Sequence, residues 1–180
     1  LKYTIYWDTN KNITITTAPE FSGTATIFRS PDVGSGQANT EDLFKFIRGK
    51  LTLGKIILDG NRDFISDQVT GALIYTSGAA GLQLGIEGSQ TDVPTLKNNN
   101  ITEYLTTAPA IFAWGTPVTM FGGSIENNAI YNTTRQAYTG AILLQNTTFK
   151  MLGGSITGNY AESNAEVDAG GVLVYTSSST

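Results

Sequence analysis

The sequence predicts an all-β chain wound into a β-solenoid, and three observations carry that prediction. The string "FKMLGGSITGN" at 149–159 nearly repeats "VTMFGGSIENN" at 118–128, and "LTLGKIILDGN" at 51–61 falls into the same register. Each is followed, after a polar stretch, by a second shared string: "TGALIYTS" at 70–77, "TGAILLQN" at 139–146 and "AGGVLVYT" at 169–176. Within these units apolar residues alternate with polar ones for only three to five positions before Gly or Asn intervenes. A period of two is the strand signal, and self-similarity at this length is the signature of stacked repeats. Coils of roughly 20–31 residues, each with about three strands, would stack at the ~4.8 Å spacing of neighbouring strands.

The N-terminal part is different. "KYTIYW" and "NITITT" alternate as strands do, but residues 18–42 are rich in turn formers. Because an uncovered end strand recruits other chains, an array needs covered ends. Residues 1–45 are read as an N-terminal cap and first coil, and 46–180 as coils of a longer array. In "EDLFKFIRG" the residues Leu43, Phe44, Phe46 and Ile47 fit either one helical turn or a strand entering a coil. Within 82–117, "LQLGIEG" and "LKNNNIT" are coil-like, and the aromatic "IFAWG" reads as a coil with an inserted loop. The chain starts at Leu1 and stops where another strand would be expected, as a piece of a larger protein would.

In the aligned strings the alternating apolar positions are expected to form one continuous core: Leu53, Leu58, Val118, Met120, Ile125, Phe149, Met151 and Ile156. Asn61, Asn128 and Asn159 share one place in the register. Asn tolerates the left-handed backbone region better than other non-glycine residues, so the three are expected at equivalent corners, hydrogen-bonded into a ladder. Gly123 and Gly154 would serve another corner, where Cβ atoms would collide.

Composition narrows the chemistry. The net charge of −4 is dispersed and no basic block occurs, which argues against a nucleic-acid or anionic-membrane partner. No apolar run reaches the length of a membrane-spanning helix, so no membrane insertion by this segment is expected. There is no Cys and no His, which removes thiolate metal sites and the commonest general base. The reading assigns no cofactor, no metal and no catalytic residue. Its best acidic cluster is Asp59, Asp63 and Asp67 with Arg62, expected first as solvated turn acids, next as a Ca²⁺ site and last as catalytic. Trp7, Tyr104, Phe112 and Trp114 are expected mainly as cap or core residues, with a platform for stacking sugar rings as the alternative. Asn-x-Thr sequons stand at Asn12, Asn100, Asn132 and Asn146.

The strings "FKMLGGSITGNYA" and "GGVLV", and with substitutions "VTMFGGSIENNA" and "GAILL", resemble the repeats of adhesin-like surface proteins of bacteria and archaea. Those repeats belong to the pectin-lyase-like superfamily of right-handed parallel β-helices. The entry "KNITIT" followed by a Gly-rich segment and "LTLGKIILDGN" is similar too, so the likeness covers most of 11–177. It implies a right-handed parallel β-helix and a non-enzymatic, extracellular, cell-surface segment acting as a stalk or adhesive scaffold. Implied partners are a host or matrix protein or a glycan. The alternative it leaves open is a carbohydrate-active enzyme, a polysaccharide lyase or glycoside hydrolase. A third is a subunit that self-associates end to end through open solenoid ends.

Overall fold

The computed structural model describes residues 4–30, 41–64, 69–102 and 107–176. Among them the protein is all-β, and its one short helical element is a 3₁₀ turn at Arg62–Phe64. All strand pairings are parallel. The chain visits its sheets in a fixed order, and each visit adds one strand beside the last.

The first circuit comprises β1 (Ile5–Trp7), β2 (Asn12–Ile15) and β3 (Ala25–Phe28), which begin sheets 1, 2 and 3. The second lays β4 (Phe44–Phe46), β5 (Lys50–Leu53) and β6 (Ile56–Asp59) beside them. In the third, β7 (Ile74–Ser77), β8 (Gly81–Leu84) and β9 (Thr95–Lys97) follow, and β10 (Asn100–Thr102) opens sheet 4. The fourth contains β11 (Ile111–Trp114), β12 (Val118–Met120), β13 (Ser124–Glu126), β14 (Ala129–Asn132) and β15 (Ala137–Thr139), the last of which opens sheet 5. The fifth repeats all five with β16 (Ile142–Gln145), β17 (Phe149–Met151), β18 (Ser155–Thr157), β19 (Tyr160–Ser163) and β20 (Val167–Ala169), and β21 (Val172–Tyr175) returns to sheet 1.

Alternation along each strand decides what is inside. In β5 the pattern is half-buried Lys50, buried Leu51, half-buried Thr52 and buried Leu53. Parallel register then stacks like upon like. Sheet 2 carries the inward columns Ile13, Leu51, Leu82, Val118, Phe149 and Ile15, Leu53, Leu84, Met120, Met151. Sheet 3 adds Ile27, Leu58, Leu96, Ile125 and Ile156. All of these but Met151 meet side chains of sheet 1, including Phe44, Phe46, Ile74, Ile111 and Ile142, in one core. Each fully buried Leu, Ile or Phe contributes about 1.5–3 kcal/mol relative to exposure.

Of the eight expected core positions, Leu53, Leu58, Val118, Met120 and Ile125 are buried. Phe149 and Ile156 are only partly buried against the core, and Met151 is 44% exposed. Their strands β17 and β18 stand at the ends of sheets 2 and 3, so one side of each column is uncovered.

"FKF" is strand β4, not a helical turn. The segment "IFAW" is an ordinary member of sheet 1, paired residue for residue with β7 and β16. Residues 5–28 supply a complete first circuit, with Trp7 turned inward and stacked on Phe46 at 4.9 Å. Arg29, only 2% exposed, braces this end: Nη2 donates to the carbonyls of Gly71 and Ala72 at 3.1 Å, and Nη1 to that of Glu41. Burial lowers its pKa to about 10, against the opposing pull of Asp42.

Candidate functional site

The repeated Asn positions carry side-chain hydrogen bonds from one circuit to the next. At the corner between sheets 3 and 4, Asn99, Asn128 and Asn159 form a ladder. Asn128 Oδ1 accepts the Asn99 N–H at 3.1 Å, and Asn159 Oδ1 accepts the Asn128 N–H at 3.0 Å. Asn128 Nδ2 donates back to the Leu96 carbonyl at 3.2 Å, and Asn159 Nδ2 to that of Ile125 at 2.8 Å. Each amide thus ties its own circuit to the one before. The left-handed residue is the neighbour, not the ladder residue: Asn98, Asn127 and Gly158 have φ of 57°, 55° and 63°. One residue makes the turn and the next makes the bonds.

Asn61 departs from the expected equivalence. It is itself left-handed at φ 58°, and its side chain donates to the Arg29 carbonyl at 3.0 Å rather than joining the ladder. The Asp59 carboxylate captures the Asn61 N–H at 2.8 Å, so the chain turns differently after β6. Gly60 passes so close over Asn99 that a Cβ there would lie 2.3 Å from the Asn99 Cα. Asn99 fills the ladder place in the circuit between, and "LKNNNIT" carried the signal for it.

At the corner before sheet 3, Gly123 and Gly154 have φ of +97° and +89°. A Cβ would meet the Pro94 carbonyl oxygen at 2.2 Å and the Gly123 carbonyl oxygen at 2.5 Å, respectively. The positive φ and the close stacking of circuits both require glycine.

Of the acidic cluster, Asp59 and Asp63 have different surroundings. Asp59 is half-buried on the outward side of β6, with Oδ2 3.6 Å from Lys97 Nζ and Asn98 Nδ2 donating to Oδ1 at 3.3 Å. Asp63 is exposed and its Oδ1 lies 4.0 Å from Arg62 Nε. Arg62 Nη1 reaches the Asn127 carbonyl at 3.4 Å. Asp67 lies outside the described residues. Among the described residues no group of three or more His, Cys, Asp and Glu is gathered to hold a metal ion.

The aromatic residues separate by face. Trp7 is half-buried against the core and Phe112 is 7% exposed, whereas Trp114 is 50% exposed. Tyr104 lies outside the described residues. Trp114 stands in an outward column of sheet 1 that reads Ser77, Trp114, Gln145, Tyr175. The adjacent outward column reads Tyr6, Lys45, Tyr75, Phe112, Leu143, Leu173. Phe112 and Leu143 face outward yet are buried, packed with Ala108, Tyr75, Tyr138 and Leu173 in a small second cluster. Tyr138 belongs to sheet 5, which thereby forms a wall beside the outer face of sheet 1. Between wall and floor lies a cleft of about 690 Å³, lined by Gln136, Tyr138 and Asp168 on one side and by Gln145, Leu173 and Tyr175 on the other. Gln136 Nε2 donates to both Asp168 oxygens, at 2.8 and 2.9 Å. Sequence reasoning missed the cleft because its two sides come from strands of different sheets.

Of the sequon residues, Asn12 and Asn146 are exposed, Asn100 is half-buried and Asn132 is 2% exposed. Compared with protein-family models, curated proteins and solved structures, the chain has no match.

Proposed function

We propose that the chain is a right-handed parallel β-helix and serves as a non-catalytic scaffold, a stalk or adhesive segment of an extracellular, cell-surface, adhesin-like protein. The observation that carries this reading is the use of its polar side chains. Asn99, Asn128 and Asn159 bind one circuit to the next, and Asp59 is matched by Lys97 and by amide donors. Carboxylates that cut a glycosidic bond must face each other across the sugar, roughly 5–10 Å apart. Asp59 and Asp63 instead serve a strand face and a turn. The handedness follows the rule for parallel crossover connections, and the adhesin-like assignment rests on the repeat strings.

Two experiments test it. Antibody against this segment should label intact cells of the source organism, and labelling only after permeabilisation would refute the surface placement. A panel of acidic and neutral polysaccharides, with and without Ca²⁺, should show neither new reducing ends nor unsaturated products. Turnover lost in Asp59→Asn or Asp63→Asn would establish the enzyme alternative.

End-to-end self-association is a second reading, favoured by one observation. Met151 and Val174 are inward-column residues that are 44% and 53% exposed. In a second copy, Ile15 of β2 and Trp7 of β1 would continue the same columns. Sedimentation velocity should then reveal oligomers that grow with concentration and vanish in Met151→Lys; a monomer at all concentrations would exclude it.

A further inference from the structure

We propose that the cleft between sheet 5 and the outer face of sheet 1 binds a neutral oligosaccharide that stacks on Tyr175 in its lining and runs on along the same outward column to Trp114, two strands away. Its volume of about 690 Å³ falls within the range of roughly 300–1,000 Å³ typical of small-ligand sites. A concave site of this size suits a slender ligand better than a protein surface, which needs about 800 Å² of contact on each partner. The lining mixes aromatic rings with amides. Tyr138 and Tyr175 each offer an apolar face and a polar tip, Gln145 can both donate and accept, and the Gln136 carbonyl oxygen can accept. That combination suits a pyranose, whose ring faces are apolar and whose rim hydroxyls both donate and accept.

Charge selects the class of glycan. The lining contains one carboxylate, Asp168, and no Lys or Arg. Gln136 holds that carboxylate in place through two hydrogen bonds, and its remaining lone pairs can accept from hydroxyls. A uronate or sulfate would meet Asp168 with no counter-charge among the lining residues. Lys45 stands in the outward column of sheet 1 but lies over the Tyr75 ring at 4.9 Å.

Register selects the length. Trp114, Gln145 and Tyr175 occupy three successive strands of one outward column. Trp114 and Tyr175 are therefore two strand spacings apart, about 9.5 Å, close to the length of a disaccharide. Trp114 and Tyr175 are 50% and 52% exposed, as stacking platforms must be.

The test is calorimetric titration of the full chain with cellohexaose, chitohexaose, mannohexaose and hexagalacturonate. At least one neutral hexasaccharide should bind, more than tenfold tighter than hexagalacturonate. Trp114→Ala and Tyr175→Ala should each weaken that binding about tenfold, equivalent to about 1.4 kcal/mol, with unchanged circular dichroism and melting. Tyr131→Ala, an exposed tyrosine on sheet 4, should leave it unaltered. The inference is overturned if none of the three neutral sugars binds, if hexagalacturonate binds as tightly, or if binding survives both substitutions. Chromatography of the titrated sugar separates this inference from the scaffold reading. A bound but cleaved hexasaccharide sinks the scaffold and keeps the cleft, whereas an intact, unbound one does the reverse.

Discussion

Met120 and Met151 occupy the same place in two copies of one string and pair directly across neighbouring strands, yet Met120 is fully buried and Met151 is 44% exposed. Asn128 and Asn159 repeat the contrast, one buried and the other half-buried. The fourth circuit is covered on both sides and the fifth on one. What a repeat residue contributes is therefore set by the neighbouring circuits and not by its own string.

The largest effect is expected from Gly123→Ala. An added Cβ would strike the Pro94 carbonyl oxygen on a backbone with φ of +97°, so neither side can yield cheaply. A loss of roughly 3 kcal/mol or more in chemical denaturation is expected. Met120→Ala comes next, at about 2–5 kcal/mol, because the site is closed on every side and cannot collapse fully. Asn128→Ala follows at roughly 2–4 kcal/mol, since it strands the Asn99 N–H and the Leu96 carbonyl inside the protein. The matching change Asn159→Ala should cost about half as much. Equal losses for the two asparagines would break the comparison.

A pH scan sharpens it by acting elsewhere. Burial lifts the Asp42 carboxyl to about 6 from an ordinary 3.8, although the Ala72 N–H, Lys45 and Arg29 pull it down. The folded chain thus holds a proton over a pH range where the unfolded chain has lost it. The stability this adds is fully present below about pH 4 and is lost as pH rises through about 6, amounting to roughly 2–3 kcal/mol. Urea midpoints across pH 4–7 should show the decline, and Asp42→Asn should flatten it. The difference between Met120→Ala and Met151→Ala should stay constant across that range, because distant sites add. The smallest effect is that of Met151→Ala itself, expected below about 1 kcal/mol. A loss as large as that of Met120→Ala would mean that its column is covered in solution.

Much of the architecture was legible in the repeat. The alignment that set Val118 on Phe149 and Ser124 on Ser155 is the strand register found. Leu53 and Met120 share a column as aligned, with Leu84 of the coil-like "LQLGIEG", which was outside the aligned strings, between them. The ladder was only partly legible: the shared Asn named Asn128 and Asn159, but Asn61 is diverted by its own Asp59, and no spacing rule reveals that. The outer face was the least legible. Phe112 and Leu143 alternate outward and would be exposed on an isolated sheet, but Tyr138 and Ala108 cover them. The acid cluster was read as turn residues from its place beside Asn61; Asp63 lies in the 3₁₀ turn, whereas Asp59 ends a strand and faces a lysine of the next.

Every strand pairing joins one circuit to an adjacent one, and that gives the molecule a nearly linear thermodynamics. Folding can begin in any neighbouring pair of circuits and spread both ways, with each added circuit closing loops of similar length. Opening runs in reverse, from the outermost strands inward. Amide protons of β8, β11 and β12 should exchange with solvent most slowly, and those of β1 to β3 and β17 to β21 fastest, in a graded series rather than one all-or-none step.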